Sequence, residues 1–201
     1  SVYATRISKD LLNPLFLSFT TRDLAGPVQK FDFNGKTYVK DRAYAFEQRF
    51  NQNTRGVLNK KIGDYAADEA SANIPLMFLS NSITRDGRQM FISTHSARFM
   101  MRPATDTTGI TYVNPDNVDF TAFFEKADPL GLSMLSALRM NATFPYVLPN
   151  VWLPTVPVID VMDAGLRDNF GTELSLRFIS SFSDWLKQNT SKLVVIQIRD
   201  H

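Results

Sequence analysis

The chain has 201 residues, the length of one domain or a large part of one, and its 44% hydrophobic and 21% charged residues are an ordinary globular composition, not a disordered one. A net charge of +2 from dispersed Lys and Arg argues against a nucleic-acid partner, and the absence of cysteine excludes a disulfide scaffold and thiolate metal sites. Sixteen phenylalanines imply a large apolar core or a ring-lined channel.

The first element is the apolar run "LLNPLFLSF", Leu11 to Phe19. It is far short of the roughly eighteen residues of a membrane span, and Asn13 and Pro14 interrupt it. It is expected to be buried in the fold, with docking on a bilayer surface or a partner as the alternative. It lacks the basic start and the cleavage site of a signal peptide. A chain that begins at Ser1 and not Met is expected to be processed or truncated. Cytoplasmic and membrane-associated locations are both compatible with this composition.

"VQKFDF-NG-KTYVK" alternates apolar and polar residues around Asn34-Gly35, the strongest short-range hairpin signal. Asp41 is placed to cap a helix through "RAYAFEQRF", where Phe46 and Phe50 share a face. After a polar stretch, "GDYAADEASAN" reads as a short helix. "IPLMFLSNSI", Ile74 to Ile83, is an apolar run of strand length; "RDG" at 85–87 makes a turn and "QMFIST" resumes as a second strand, so the two predict a hairpin. After residue 100 the chain reads as loop-rich through "RPATDTTGITYVNPDNVDF", Arg102 to Phe120. "FTAFFEKA" is a short amphipathic helix. "LSMLSALRM" is a stronger one, with Leu132, Leu135 and Leu138 at three-residue spacing and Ala137 on the flank, and the prolines of "NATFPYVLPN" end it. "VIDVM" predicts a strand, "LSLRFISSFSDWLKQN" a helix, and "KLVVIQIRD" a last strand buried on both faces. Helix alternating with strand in the second half argues for an α/β fold.

The chemistry concentrates in "LSALRMNATFPYVLPNVWLPTVPVIDVMDAGLRDNFG", residues 135–171. A helix leads through a proline-bracketed loop to a strand. The strand ends at Asp163, where α/β enzymes commonly keep a catalytic carboxylate. Gly165 permits a sharp backbone turn, and Asp168-Asn169 form a turn able to bond its own backbone.

Ala137, Arg139, Asn141, Ala142, Phe144 and Pro145, then Pro149 and Val151, then Asp163-Ala164-Gly165 and Asp168-Asn169, together resemble the C-terminal half of the patatin-like phospholipase family. The family pattern is a helix ending in A-x-R-x-S-A-x-F-P, a P-V loop, a strand delivering Asp-Gly-Gly or Asp-Gly-Ala, and a later Asp-Asn pair. "IPLMFLSNSITRDGRQMFIST" is similar to the strand pair that follows the family's nucleophile helix. "DRAYAFEQRF" is similar to a segment that members carry between the two. The resemblance runs from about Asp41 to Trp185 and is strongest over 135–171. Asn141 stands where serine is commoner, which alters a local hydrogen bond. Ala164 stands where the family has glycine, so a Cβ disfavours positive φ there and the turn at Asp163 is expected to differ in shape.

The resemblance implies a partial three-layer patatin-like fold: a mostly parallel sheet flanked by helices, with a β-hairpin insertion. Residues 1–40 would be a family-variable segment carrying the hairpin, and 41–201 the C-terminal part of the catalytic domain. It implies hydrolysis of lipid esters by a Ser-Asp dyad without histidine, metal or cofactor. The serine would sit on a Gly-x-Ser-x-Gly elbow, and a glycine-rich loop would supply oxyanion donors worth about 3 kcal/mol each. Asp163 would be the base, because a serine hydroxyl is a weak nucleophile without one. Ala164, Gly165, Asp168 and Asn169 would support its turn, and Phe144 and Tyr146 are candidates to line an acyl pocket.

None of the nine glycines forms Gly-x-Ser-x-Gly; the nearest approach, "GLSML" at 131–135, lacks the second glycine and a preceding strand. The expectation is therefore that the nucleophile and oxyanion loop lie outside this chain, in an N-terminal half, and that the chain alone is inactive. An open sheet edge would then favour homo-oligomers. The rival expectation is an inactive lipid-binding or protein-interaction module on the same scaffold. A third, a Ser-His-Asp esterase, would require His95, for which a surface or capping role is the simpler expectation. Asp160, three residues from Asp163, points to the opposite face of the strand, so the two do not make a glycosidase pair.

Overall fold

A computed structural model describes residues 5–6, 8–27, 29–33, 36–102, 115–144 and 146–198. Helix α1 (Leu12–Ser18) runs into a wider π-helical turn over Phe19–Leu24. Strands β1 (Lys30–Phe33) and β2 (Lys36–Val39) pair antiparallel, as Asn-Gly predicts; the two turn residues lie outside the described residues. Helix α2 (Arg42–Asn53) starts where expected, with the Asp41 carboxylate accepting from the Tyr44 N–H at 3.0 Å. Phe46 and Phe50 stack on one face, their rings 5.8 Å apart. A 3₁₀ turn (Ile62–Tyr65) leads into the short α3 (Ala66–Ala70).

The main sheet has five strands: β3 (Leu79–Ile83), β4 (Gln89–Ile92), β5 (Val118–Asp119), β6 (Val151–Leu153) and β7 (Ile159–Asp163), in the order β5-β4-β3-β7-β6. The predicted hairpin forms between β3 and β4. At its turn Gly87 adopts φ +72°, which a side chain would strain, and Asp86 accepts from the Arg88 N–H at 3.1 Å. The short helices α4 (Phe120–Phe123) and α5 (Met134–Asn141) follow β5. After β7 come α6 (Gly165–Asp168), α7 (Thr172–Ser181) and α8 (Ser183–Asn189).

Helices cover both faces. On one, Met134, Ala137 and Met140 of α5 pack on Leu79, Ile83, Met90, Val151 and Val161. On the other, Leu174 and Phe178 of α7 pack against Phe91, Met100 and Met101. Each large side chain buried this way contributes about 1.5–3 kcal/mol. Helix α2 lies outside α5, and Glu47 meets Arg139 at 3.2 Å; burial pushes the Glu47 carboxyl above its ordinary range, against the pull of that guanidinium. Leu15 of α1 joins Ala43 and Leu148 in a third small core.

Four expectations are corrected. The sheet is mixed, not mostly parallel: β4 and β5 are parallel, but the other three pairings are antiparallel. The five-residue connections at 84–88 and 154–158 are too short for the crossover that parallel neighbours need. The helix expected over 174–189 is broken at Phe182, with φ −107° and ψ 15°. The last strand does not form: Leu193 to Ile198 pair with no strand among the described residues and are exposed, Ile198 at 92%. Of the apolar run at 11–19, Leu15 is buried while Leu12, Phe16 and Leu17 stay exposed. No helix among the described residues is long and apolar enough to cross a membrane.

Candidate functional site

Directly opposed residues in an antiparallel ladder place their side chains on the same face. The registers Asn81 to Asp163, Ile83 to Val161, Leu79 to Ile92 and Leu153 to Ile159 therefore assign one face of the sheet residue by residue. That face reads Leu79, Asn81, Ile83, Met90, Ile92, Val118, Val151, Leu153, Ile159, Val161 and Asp163. Asn81 and Asp163 are its only polar members, and they face each other across β3 and β7.

Asn81 is fully buried, and neither its Oδ1 nor its Nδ2 has a hydrogen-bond partner among the described residues. Stranding a buried polar group costs about 1–3 kcal/mol; Ser18, Tyr65, Ser82 and Asn141 also carry such atoms, and what distinguishes Asn81 is that both of its amide atoms are unpaired and that it lies opposite Asp163. Asp163 is half-buried at the end of β7. Its Oδ1 accepts from the Gly165 N–H at 2.6 Å, and its Oδ2 makes no hydrogen bond among the described residues. Its own N–H donates to the Thr143 carbonyl at 3.0 Å, which ties the strand end to the loop after α5. Fully buried Thr143 is fixed in turn by its hydroxyl, which donates to the Arg139 carbonyl at 2.7 Å. The result is a carboxylate oriented through one oxygen, beside an amide that makes no hydrogen bond among the described residues.

The turn that holds Asp163 depends on what is small. A Cβ on Gly165 would lie 2.7 Å from the Asp163 Oδ1 and 2.9 Å from the Asn169 Oδ1, so only glycine lets both side chains close over it. Ala164 has φ −61°, ordinary helical backbone, and its Cβ is accommodated because the chain enters α6 at once. Asp168 is buried and caps the next helix, its carboxylate accepting from the Glu173 and Leu174 N–H groups at 3.1 and 3.0 Å.

A charge network braces this turn. Arg177, nearly inaccessible, grips Asp116 with Nη1 at 2.8 Å and Nη2 at 2.7 Å and also pairs with Glu173. Arg167 reaches the same two acids, each at 2.9 Å, and donates to the Gly87 carbonyl at 3.3 Å. Burial pushes the Asp116 carboxyl up, but the hydrogen bonds and charges of Arg177 and Arg167 outweigh it and hold the group below the usual carboxylate range. Burial opposes both guanidinium charges too, and the two acids still raise both arginines above their ordinary value.

A cleft of about 360 Å³ is lined by Ser82, Ile83, Thr84, Gly87, Leu166 and Arg167. Ser82 is 2% exposed and its hydroxyl has no hydrogen-bond partner among the described residues. Its cross-strand neighbours are Gln89 and Met162, neither of which is a base. Ser133 sits before α5, with its backbone bridged to Lys61 and no strand leading into it that would make an elbow. His95 is half-exposed and lies 3.7 Å from Glu69, whose other contacts are the Thr94 hydroxyl and the Met77 N–H; its partner is Glu69, not Asp163. Phe144 and Tyr146 are exposed, Tyr146 at 95%, and line neither cleft of the described residues. Asp160 lies opposite exposed Trp152, on the other face from Asp163. Among the described residues no group of three or more His, Asp or Glu is placed to hold a metal ion.

Sequence reasoning picked out Asp163 and its turn but missed Asn81. The signal was present in "LSNSI", three small polar residues in succession inside an apolar strand, every one of which is buried. Comparison of the chain with protein-family models, with curated proteins and with solved structures finds no match to any of them.

Proposed function

We propose that this chain supplies the base of a lipid acyl hydrolase: Asp163 takes the proton of a serine that attacks an ester carbonyl, and the serine and the oxyanion donors come from outside these 201 residues. The observation that supports this most is the pairing of a free Asp163 Oδ2 with the unpartnered amide of Asn81 on an otherwise apolar sheet face. The motif resemblance over 135–171 and the lack of Gly-x-Ser-x-Gly support the division of labour. In this reading the Gly165 N–H orients the carboxylate by holding its Oδ1. Asn81 is a positioning residue that gains a partner when the serine segment is in place.

The test is hydrolysis of a medium-chain ester by the protein isolated from its source. Asp163→Asn preserves the acceptor for the Gly165 N–H and removes the base, so kcat should fall by about a thousandfold with KM little changed. Hydrolysis that survives Asp163→Asn would sink the proposal. The second reading, an inactive interaction module, draws on the exposed apolar run Leu193 to Ile198 and on exposed Trp152 at the sheet edge. It predicts no hydrolysis by the natural protein at all.

A further inference from the structure

A second cavity, of about 270 Å³, opens at the other end of the apolar sheet face from Asp163. Partly exposed Val118 and Ile159 and exposed Phe123 line it, above the buried side chains of Ile83, Met90 and Leu153. Asp163 and Ile159 are the two ends of β7, so about 13 Å of strand separates the sites, with Val161 fully buried between. None of those six side chains carries a polar atom, so an occupant can be held there only by hydrocarbon contact. The volume is near the lower end for small-molecule sites, about 300–1,000 Å³, and admits one chain in place of a two-chain lipid.

The mouth is charged, and unevenly. Arg85, Asp86 and Arg88 of the β3–β4 turn line it. Asp86 is committed to Arg88, with Nη2 at 2.7 Å and Nε at 2.8 Å, and the Arg88 hydrogen bond holds its carboxyl below the usual range. Arg85 is exposed; its charge also acts on Asp86, but it forms no ion pair or hydrogen bond among the described residues. Two guanidiniums against one spent carboxylate leave one positive charge at the entrance of a hydrocarbon pocket.

We infer that this pocket binds a free single-chain fatty-acid carboxylate, with the alkyl chain on Val118, Phe123 and Ile159 above buried Ile83 and Met90, and the carboxylate on Arg85. A guanidinium offers a carboxylate two parallel hydrogen bonds, and a neutral alcohol of the same length cannot use both. The inference stands on Arg85 and the cavity and not on the role of Asp163, so either can fail without the other.

The experiment is a titration with decanoate below its micelle concentration, read on the methyl groups of Ile83, Met90 and Ile159 by NMR. Decanoate should shift all three saturably and bind about tenfold more tightly than decanol. Arg85→Glu, at an exposed position, should erase that preference with the melting temperature unchanged. Ile159→Trp should fill the cavity and weaken both ligands. Equal affinity for decanoate and decanol, no shift of these methyls, or a decanoate affinity indifferent to Arg85→Glu would overturn the assignment. So would shifts produced by phosphatidylglycerol vesicles and not by decanoate, which would make the occupant a bilayer lipid.

Discussion

At the scale of single residues, the candidate site is two polar side chains on an otherwise apolar sheet face: Asp163, which holds its turn through the Gly165 N–H, and Asn81, which makes no hydrogen bond among the described residues. Leucine at position 81 would fill nearly the same space as asparagine, on a face otherwise built from Leu, Ile, Val and Met, and would leave no polar atom stranded. Asn81→Leu should therefore raise the free energy of unfolding in urea by about 1–2 kcal/mol while lowering the rate of ester hydrolysis. Destabilisation by the same amount would mean that the amide is satisfied in the folded protein and has no positioning role. Asp163 itself was legible because a strand pattern stops at an acid followed by glycine. Asn81 was not, because asparagine inside an apolar run reads as an interruption until the strand registers place it opposite Asp163. The exposure of Phe144 and Tyr146 was equally hidden, since aromatic rings in a loop look the same whether they line a pocket or face water.

At the scale of elements, local signals were read well and long-range pairing was not. Asn-Gly predicted the β1–β2 pairing, Asp41 the start of α2, and the turn at 85–87 the β3–β4 hairpin. Each of these rests on residues within a few positions of one another. The direction of β3 against β7 depends on two segments about eighty residues apart, and no local pattern encodes it. The run Leu193 to Ile198 has the composition of a buried strand, but composition does not supply a partner. What binds α6 and α7 to the segment before β5 is charge: Asp116 between Arg167 and Arg177. Because the Asp116 carboxyl is held below its ordinary value in the folded state, its contribution is full above the unfolded value of about 3.9 and is lost as pH falls through the folded value. Asp116→Asn should cost about 1–2 kcal/mol at neutral pH, allowing for the partial exposure of the acid, and the gap from wild type should close below about pH 4. Thermal melts across pH would show it; a gap that persists unchanged to pH 2 would assign the cost to packing instead.

At the scale of the whole molecule, a five-stranded mixed sheet with helices on both faces holds the Asp163 carboxylate at a strand end, and among the described residues no serine sits on a strand-to-helix elbow. The helix–strand alternation of the second half was enough to expect an α/β architecture, while the mixed sheet shows how little alternation says about strand direction. The central claim is that Asp163 serves a nucleophile from outside this chain. Fluorophosphonate labelling of the protein isolated from its source, mapped by peptide mass, addresses it most directly. One modified serine lying outside residues 1–201, no longer labelled in the Asp163→Ala variant, is the predicted result. A labelled serine within the chain, at Ser133 or Ser82 for example, or no labelled serine at all, would contradict it.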